Sequence, residues 1–182
     1  MLIKKVGKSV VKWCAICIFV FGFLHNYANM RFLGNIEAKL DTKYRVFIPA
    51  IFRKVLVAEN QQTLYLRKDV FQDCITVYPQ SVWEEELGLL RSKLNKWDPQ
   101  EQDMYRQFLL EAEVEELDSS GRILISKHLL NIVGIESEVR FLGVDNTIEI
   151  WPKDALEKPR VEPEIFREKM QTLMAGPTQI NR

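Results

Sequence analysis

The sequence predicts an α+β fold built from two copies of one structural unit. The stretch D-T-K-Y-R at Asp41–Arg45 returns 77 residues later as D-S-S-G-R at Asp118–Arg122, so both share the pattern D-x-x-x-R. A second pair follows at a spacing of 73, where V-Y-P at Val77–Pro79 corresponds to I-W-P at Ile150–Pro152. Short alternating apolar stretches surround these motifs, and stretches with helical periodicity follow them. A tandem duplication of a mixed unit accounts for all three observations.

Each copy begins with the same order of elements. An alternating stretch, 32–40 in the first copy and 112–117 in the second, predicts a strand that enters the D-x-x-x-R turn. A short β-branched strand leaves the turn, at Val46–Ile48 or Ile123–Ile125. A short amphipathic helix follows, and Pro49 stands at its start in the first copy.

Two further strands close each copy. They are runs rich in β-branched and aromatic residues, which favour extended backbone. In the second copy Asp145-Asn146 predicts the hairpin turn between them. The four strands are predicted at Thr63–Leu66, Cys74–Tyr78, Val139–Leu142 and Thr147–Trp151.

A helix is predicted directly after the first copy. Ser81 and Glu84 have the spacing of a capping box, which marks a helix start. Apolar residues then recur at spacings of four and three, and this periodicity predicts one apolar stripe that packs against other elements or other subunits. The stripe consists of Trp83, Leu87, Leu90, Leu94 and Trp97.

Two more helices are predicted, one before the second copy and one after it. Asp98 followed by Pro99 is typical of an N-cap and first helical position. The last helix runs from Pro163 through Leu173, and Gly176-Pro177 is expected to end it.

These patterns divide the body of the chain into four parts. The first copy occupies residues 30–79, connecting helices 80–110, the second copy 111–152, and C-terminal helices with a tail 153–182. Each copy alone is small for an independent core, so we expect the copies to depend on each other or on other subunits.

Residues 1–29 differ from the body. Four lysines precede the apolar run Trp13–Leu24, which is shorter than the about 20 residues that span a bilayer. A basic flank and a short apolar core outline a secretory signal, but the small-x-small cleavage pattern is missing. The segment is therefore a signal-like or anchor-like sequence, or an extension before a true start at Met30, which is the interpretation we favour.

The net charge of zero hides an uneven distribution. Residues 31–68 hold eight basic and three acidic groups, whereas residues 82–118 hold eleven acidic and four basic groups. A nucleic-acid contact must therefore be a local patch in the first copy, because the body as a whole would repel a polyanion. The alternative is that these charges only form solvated faces.

The residue types argue against an enzyme and against a metal or cofactor site. Cys14, Cys17 and Cys74 give no disulfide framework, which suits a reducing cytosol. The body has one histidine, His128, expected on a helix surface, and no phosphate-binding glycine-rich loop.

The two motifs and the elements around them resemble the MraZ family, tandem members of the AbrB-like swapped-hairpin superfamily of bacterial DNA-binding proteins. The resemblance covers about residues 30–175. It implies two tandem AbrB-like swapped-hairpin, β-barrel-like units with flanking helices, related by a pseudo-two-fold within the chain. It also implies closed rings of subunits that bind repeats in the promoter of the division and cell-wall gene cluster and regulate that operon.

The first copy matches the family pattern D-S-K-G-R-x-x-x-P-x-x-F/Y-R better than the second. In the first copy Tyr44 stands where glycine is usual; in the second, Ser126 stands in place of the proline. The second copy also has Ser120 in place of the lysine and follows a run of glutamates, so the first copy is the better candidate for DNA contact. The matching residues of the first copy are Asp41, Lys43, Arg45, Pro49, Phe52 and Arg53.

The motif itself suggests two kinds of role. An aspartate four residues before an arginine can accept hydrogen bonds from the turn and pair with the guanidinium, so we expect Asp41, Asp118 and Gly121 to shape the turns. An arginine can hold its aspartate and still present donors outward, which leaves both roles open for the arginines. The predicted DNA-binding residues are Lys43, Arg45, Arg53, Lys54 and Arg122.

The resemblance thus implies a cytoplasmic, nucleoid-associated transcriptional regulator, and the residue types predict that it is not an enzyme. Its predicted partners are double-stranded DNA with direct promoter repeats and further copies of itself in a ring, which would gain affinity through effective concentration. No cofactor or small-molecule substrate is expected. The alternative is an oligomeric scaffold of the same fold with weak or no DNA binding, associated with a membrane through residues 1–29.

Overall fold

The computed structural model describes residues 31–175, which fold into a mixed α+β structure, as the sequence predicts. This range contains eight strands: β1 (Phe32–Lys39), β2 (Arg45–Phe47), β3 (Thr63–Lys68), β4 (Ile75–Pro79), β5 (Glu113–Glu116), β6 (Arg122–Leu124), β7 (Glu138–Asp145) and β8 (Thr147–Pro152). Six of them form an antiparallel sheet in the order β1-β7-β8-β4-β3-β5. The other two, β2 and β6, pair separately as a two-stranded ribbon.

The same range contains five α-helices and one short 3-10 helix. The α-helices are α1 (Ala50–Ala58), α2 (Gln80–Lys93), α3 (Pro99–Leu110), α4 (Lys127–Val133) and α5 (Pro163–Met174), and the 3-10 helix is Lys153–Leu156. Among residues 31–175, none of the helices combines the length and the apolar composition that a membrane span needs. The predictions for residues 1–29 and for Gly176-Pro177 lie outside the described residues.

Strands are exchanged between the two copies. Strand β1 of the first copy pairs with β7 of the second, and β5 of the second copy pairs with β3 of the first. The ribbon joins β2 to β6, and β4 pairs with β8 in the middle of the large sheet. Neither copy can therefore close its own sheet, and the two copies bury one joint core.

The exchange follows an approximate two-fold axis through the ribbon. Val46 and Ile123 are direct partners at its centre, and both are buried. On either side the backbone bonds are reciprocal: the Ile48 amide donates to the Gly121 carbonyl, and the Ile125 amide donates to the Tyr44 carbonyl, both at 3.0 Å. The D-x-x-x-R turn of each copy thus lies beside the end of the other copy's short strand.

The alternating residues of β1 face the core as predicted. Its side chains alternate between inward and exposed positions, and Phe32 is only 1% exposed. The Phe32 ring meets the Phe52 ring of α1 edge to face, with centroids 5.8 Å apart, an arrangement that aromatic pairs prefer. The first helix is therefore held on the sheet by the strand that precedes the turn.

The connecting helices α2 and α3 are fixed to the sheet by a stack of rings. Trp83 lies between Tyr65 of β3 and Phe108 of α3, with centroid distances of 5.2 and 5.5 Å. The Arg67 guanidinium covers the Phe108 ring at 4.0 Å and pairs with Glu111 at 3.1 Å. Because Arg67 is only 3% exposed, this member of the basic region 31–68 does not contribute to a surface patch.

The helix starts were predicted with mixed success. The Asp98 carboxylate accepts a hydrogen bond from the Gln100 amide at 2.8 Å, which confirms the predicted N-cap. The prediction of a capping box at Ser81 and Glu84 is wrong, because Pro79 is the N-cap residue and α2 already begins at Gln80.

The apolar stripe predicted to reach Trp97 is too long. Helix α2 ends at Lys93, where Leu94 turns to extended backbone with ψ 138°. The side chain of Trp97 therefore leaves the helical face and is 81% exposed.

Candidate nucleic-acid interface

The first turn, Asp41–Arg45, is organised by its aspartate. The Asp41 carboxylate accepts hydrogen bonds from the backbone amides of Lys43 at 2.8 Å and Arg45 at 3.0 Å. It also accepts from Arg45 Nε at 2.9 Å and pairs with Nη2 at 2.7 Å. The backbone bonds and the Arg45 guanidinium hold the pKa of Asp41 at about 2, below its ordinary 3.8, so this carboxylate is ionised at neutral pH.

The second turn, Asp118–Arg122, repeats this geometry almost bond for bond. The Asp118 carboxylate accepts from the amides of Ser120 at 2.8 Å and Arg122 at 2.9 Å, and from Arg122 Nε at 2.8 Å. The backbone bond from Arg122 is the main cause of the lowered pKa of Asp118. The two turns are also neighbours, since Arg122 Nη1 lies 4.0 Å from the Asp41 carboxylate.

The two turns differ at their left-handed residue. Gly121 has φ +84°, which glycine adopts at little cost. Tyr44 occupies the corresponding position with φ +62°, a conformation that is uncommon for a residue with a side chain. Tyr44 therefore does not change the shape of the turn, and its partly buried ring packs against the core.

Helix α1 of the first copy lies over the turn of the second copy. Arg53 Nη1 donates to the Ser120 carbonyl at 3.2 Å, and a Cβ at Gly121 would stand 2.5 Å from Arg53 Cδ. Lys54, the next residue on α1, is exposed, and with Arg53 it lines an open groove of about 810 Å³ beside the second turn. Arg53 thus supports the second turn, whereas Lys54 is free to meet a ligand from solution.

Helix α4 of the second copy lies over the first turn in the corresponding way. The ammonium group of Lys127, in the first turn of α4, is 4.9 Å from the centroid of the Tyr44 ring. This places an exposed cation against Tyr44, the residue that follows the exposed Lys43 in the first turn. Lys127 was not among the predicted DNA-binding residues, because the sequence places it on the helix after the second turn and no local pattern shows that this helix lies over the first turn. Only the exchange of strands between copies brings α4 to this turn.

Together these residues form one basic surface, which we call the turn face. The structure brings all five sequence-predicted basic residues to the two turns or to the helix above them, and adds Lys127. This surface contains six basic and two acidic groups, so its net charge is positive although the body is acidic overall. The turn face consists of Asp41, Lys43, Arg45, Arg53, Lys54, Asp118, Arg122 and Lys127.

Comparisons with known proteins identify the family. A family model described as MraZ protein, putative antitoxin-like, matches residues 108–173. A relative from Bacteroides thetaiotaomicron is 54% identical over 145 residues, which cover 80% of this chain and 93% of the relative. The chain belongs to the MraZ family. A Phocaeicola vulgatus relative is 50% identical over 80% of this chain and 94% of its own length. A Histophilus somni relative is 37% identical over 66% of this chain and 78% of its own length.

All three MraZ relatives carry the name transcriptional regulator MraZ. Membership of this non-enzymatic family confirms the prediction that the chain is not an enzyme. Within residues 31–175 no cluster of three or more histidine, cysteine or acidic side chains has the arrangement of a metal site. His128 is exposed on α4, as predicted, and Cys74 is buried, which raises the pKa of its thiol to about 12.

Proposed function

We propose that this MraZ protein is a DNA-binding transcriptional regulator that holds promoter DNA on the turn face. The names of its relatives support the regulatory role. The observation that carries the proposal is the concentration of six basic side chains around two linked turns in a protein whose body is otherwise acidic. Such a local patch attracts phosphates and orients the protein, because the rest of the surface repels them.

The two turns do not contribute equally in this proposal. Their aspartates each engage an arginine, so the paired charges of Asp41 with Arg45 and Asp118 with Arg122 largely cancel at long range. Lys43 is exposed at the tip of the first turn, whereas the second copy has the uncharged Ser120 at this position. The first turn, flanked by Lys43 and Lys127, therefore makes the stronger phosphate contacts.

We further propose that the protein acts as a ring of identical subunits on repeated sites. Helix α5 contains no buried residue. It nevertheless carries large apolar side chains, of which Phe166 is 57% and Leu173 74% exposed. A helix of twelve residues is marginal in water without tertiary packing, so an apolar partner surface is required. A groove of about 980 Å³ bordered by Phe71, Leu90 and Met104 offers one.

The wider role follows from the same proposal. The ring binds direct repeats in the promoter of the division and cell-wall gene cluster, and the protein works in the cytoplasm at the nucleoid. Linking several weak sites on one ring raises the affinity for repeated DNA without a new contact. No cofactor or small-molecule substrate takes part. The competing role is a scaffold of the same fold, which would use the apolar helices but not the turn face.

A salt-titrated binding assay on the chain's own upstream promoter tests the proposal. We expect the affinity to fall steeply with salt, because several phosphate contacts release counterions. Lys43→Ala should abolish the specific complex, whereas Lys93→Ala, an exposed lysine at the end of α2, should leave it intact. If the unaltered protein binds no repeat-containing promoter even at low salt, the scaffold role replaces the regulator.

A further inference from the structure

The outward face of the β2–β6 ribbon alternates basic and apolar side chains. Phe47 lies opposite Arg122 in the register, and Leu124 lies opposite Arg45. Direct partners of an antiparallel pair share one face, so these four side chains form a square on the side away from the core. Phe47 is 54% exposed and Leu124 44% exposed, whereas Val46 between the arginine and the phenylalanine is fully buried.

The exposure of two apolar side chains, Phe47 and Leu124, on the same face of the ribbon calls for an explanation. Single exposed apolar side chains are ordinary on protein surfaces. Phe47 and Leu124, however, occupy corresponding positions 77 residues apart, so each copy presents an apolar residue here. They are related by the approximate two-fold axis of the ribbon, and they lie opposite Arg122 and Arg45 of the turn face. The Phe47 ring centroid also lies 5.5 Å from the Arg122 guanidinium carbon, which ties it to the proposed DNA contact.

We propose that the ribbon enters the major groove and that Phe47 contacts the C5-methyl group of a thymine. This inference rests on the proposed DNA-binding function and assigns base recognition to a residue outside the D-x-x-x-R motif. The major groove admits a two-stranded β-ribbon, and an apolar side chain on a thymine methyl group is one of the contacts that distinguish bases there. Leu124 makes the corresponding contact on the other side of the axis.

The spacing of the ribbon suits this role. Residues i and i+2 of a strand are about 7 Å apart, which corresponds to about two base-pair steps of duplex DNA. Arg45 and Phe47 can therefore contact base pairs that lie about two steps apart, and Arg122 and Leu124 do the same from the adjacent strand. Arg45 holds Asp41 through Nε and Nη2, and a guanidinium has five donors, so donors remain for guanine or phosphate. Basic and apolar contacts then alternate along the groove.

Replacing single thymines by deoxyuridine tests the inference, because the two bases differ only in the methyl group. The probe is a duplex from the chain's own promoter, footprinted with the unaltered protein. At the contacted thymine we expect uridine to lower the affinity about fourfold, the factor that corresponds to burial of one methyl group. Phe47→Ala should bind the thymine duplex more weakly, with no further loss on the uridine duplex. Phe47→Leu, which stays apolar, should keep a sensitivity to uridine.

Two readouts separate base contact from other roles. The salt dependence of binding should be the same for Phe47→Ala and the unaltered protein, because a methyl contact releases no counterions. Leu33→Ala, which shortens an apolar side chain that is 83% exposed on β1, should bind both duplexes as the unaltered protein does. Urea unfolding of each variant verifies that it is folded.

The three modes of failure are distinguishable. If the unaltered protein binds its promoter and Phe47→Ala binds equally well, the inference is wrong while the proposed function stands. The inference also fails if Phe47→Ala and the unaltered protein lose the same factor on every uridine duplex. If the unaltered protein binds no promoter DNA, the proposed function itself fails.

Discussion

The Arg53 side chain occupies the space above Gly121, and its guanidinium donates to the neighbouring Ser120 carbonyl, 67 residues further along the chain. The first helix of one copy thereby holds the turn of the other copy in place. This contact explains why the second turn keeps glycine while the first turn tolerates Tyr44. A side chain at Gly121 has no room unless Arg53 moves, so the two positions are coupled.

Gly121→Ala is expected to destabilise the protein by about 2 kcal/mol. The left-handed backbone costs a residue with a Cβ about 1–2 kcal/mol, and displacement of Arg53 adds to this. Urea unfolding measures the loss. Gly88→Ala in α2 is the control, because a Cβ there meets nothing within 4 Å, and it should stabilise the helix by about 0.5–1 kcal/mol.

The coupling itself can be measured in the double variant. Arg53→Ala removes the atoms that the methyl group introduced by Gly121→Ala would meet. The loss of stability in the double variant should therefore be smaller than the sum of the two single losses. Strict additivity would show that Arg53 does not restrict Gly121.

Acid should destabilise the fold through the turn aspartates. Folding lowers the pKa of Asp41 from 3.8 to about 2, and the pKa of Asp118 is also lowered. Stabilisation from a lowered pKa is complete above the unfolded value and is lost as pH falls toward the folded value. We therefore expect the free energy of unfolding to fall between about pH 4 and pH 2.

Asp41→Asn isolates this contribution. Asparagine can still accept hydrogen bonds from the turn amides, but it does not titrate. The variant should lose less stability than the unaltered protein between about pH 4 and pH 2, as followed by urea unfolding across that range. Asp103→Asn on the exposed face of α3 serves as the control and should keep the full acid response. An acid response unchanged in Asp41→Asn would contradict the assignment.

Local sequence patterns predicted the strands because each strand is defined by its own alternation and turn residues. The entering strand β1, the turn at Asp41 and the hairpin at Asp145 all lie where the pattern indicated. The helix starts were predicted less accurately, because Pro79 both ends β4 and caps α2, so the helix starts at Gln80 and the predicted N-cap at Ser81 is wrong. Boundaries of this kind depend on one or two dihedral angles.

The pairing of strands could not be predicted from the same patterns. An alternating strand specifies which face is apolar, but not which of several similar strands it joins, and a duplicated chain offers two equivalent choices. In the structure the strands pair between the copies, as β1 does with β7, where Leu33 is the partner of Val144. The contribution of Lys127 to the turn face depends on this exchange and was therefore missed. The roles of the turn-face residues in DNA binding stay predictions.

Lys127 should contribute one phosphate contact of its own. Removing one such contact lowers the slope of log affinity against log salt by about 1 for each subunit bound to the duplex, and it weakens binding to all sequences alike. We expect this result for Lys127→Ala in fluorescence anisotropy with promoter and unrelated duplexes, and retention of the slope in Lys127→Arg. A slope that does not change in Lys127→Ala would remove this residue from the interface.

Helix α5 is expected to hold the ring together through its apolar side. Phe166→Glu places a charge on the exposed apolar stripe that Phe166 shares with Met170 and Leu173, so it should reduce the assembly to smaller species in light scattering coupled to size exclusion. Glu168→Lys changes a charge on the opposite side of the same helix and should leave the mass unchanged. Since avidity depends on the ring, Phe166→Glu should also weaken binding to repeated sites more than to a single site. Equal masses for Phe166→Glu and the unaltered protein would show that α5 meets a different partner.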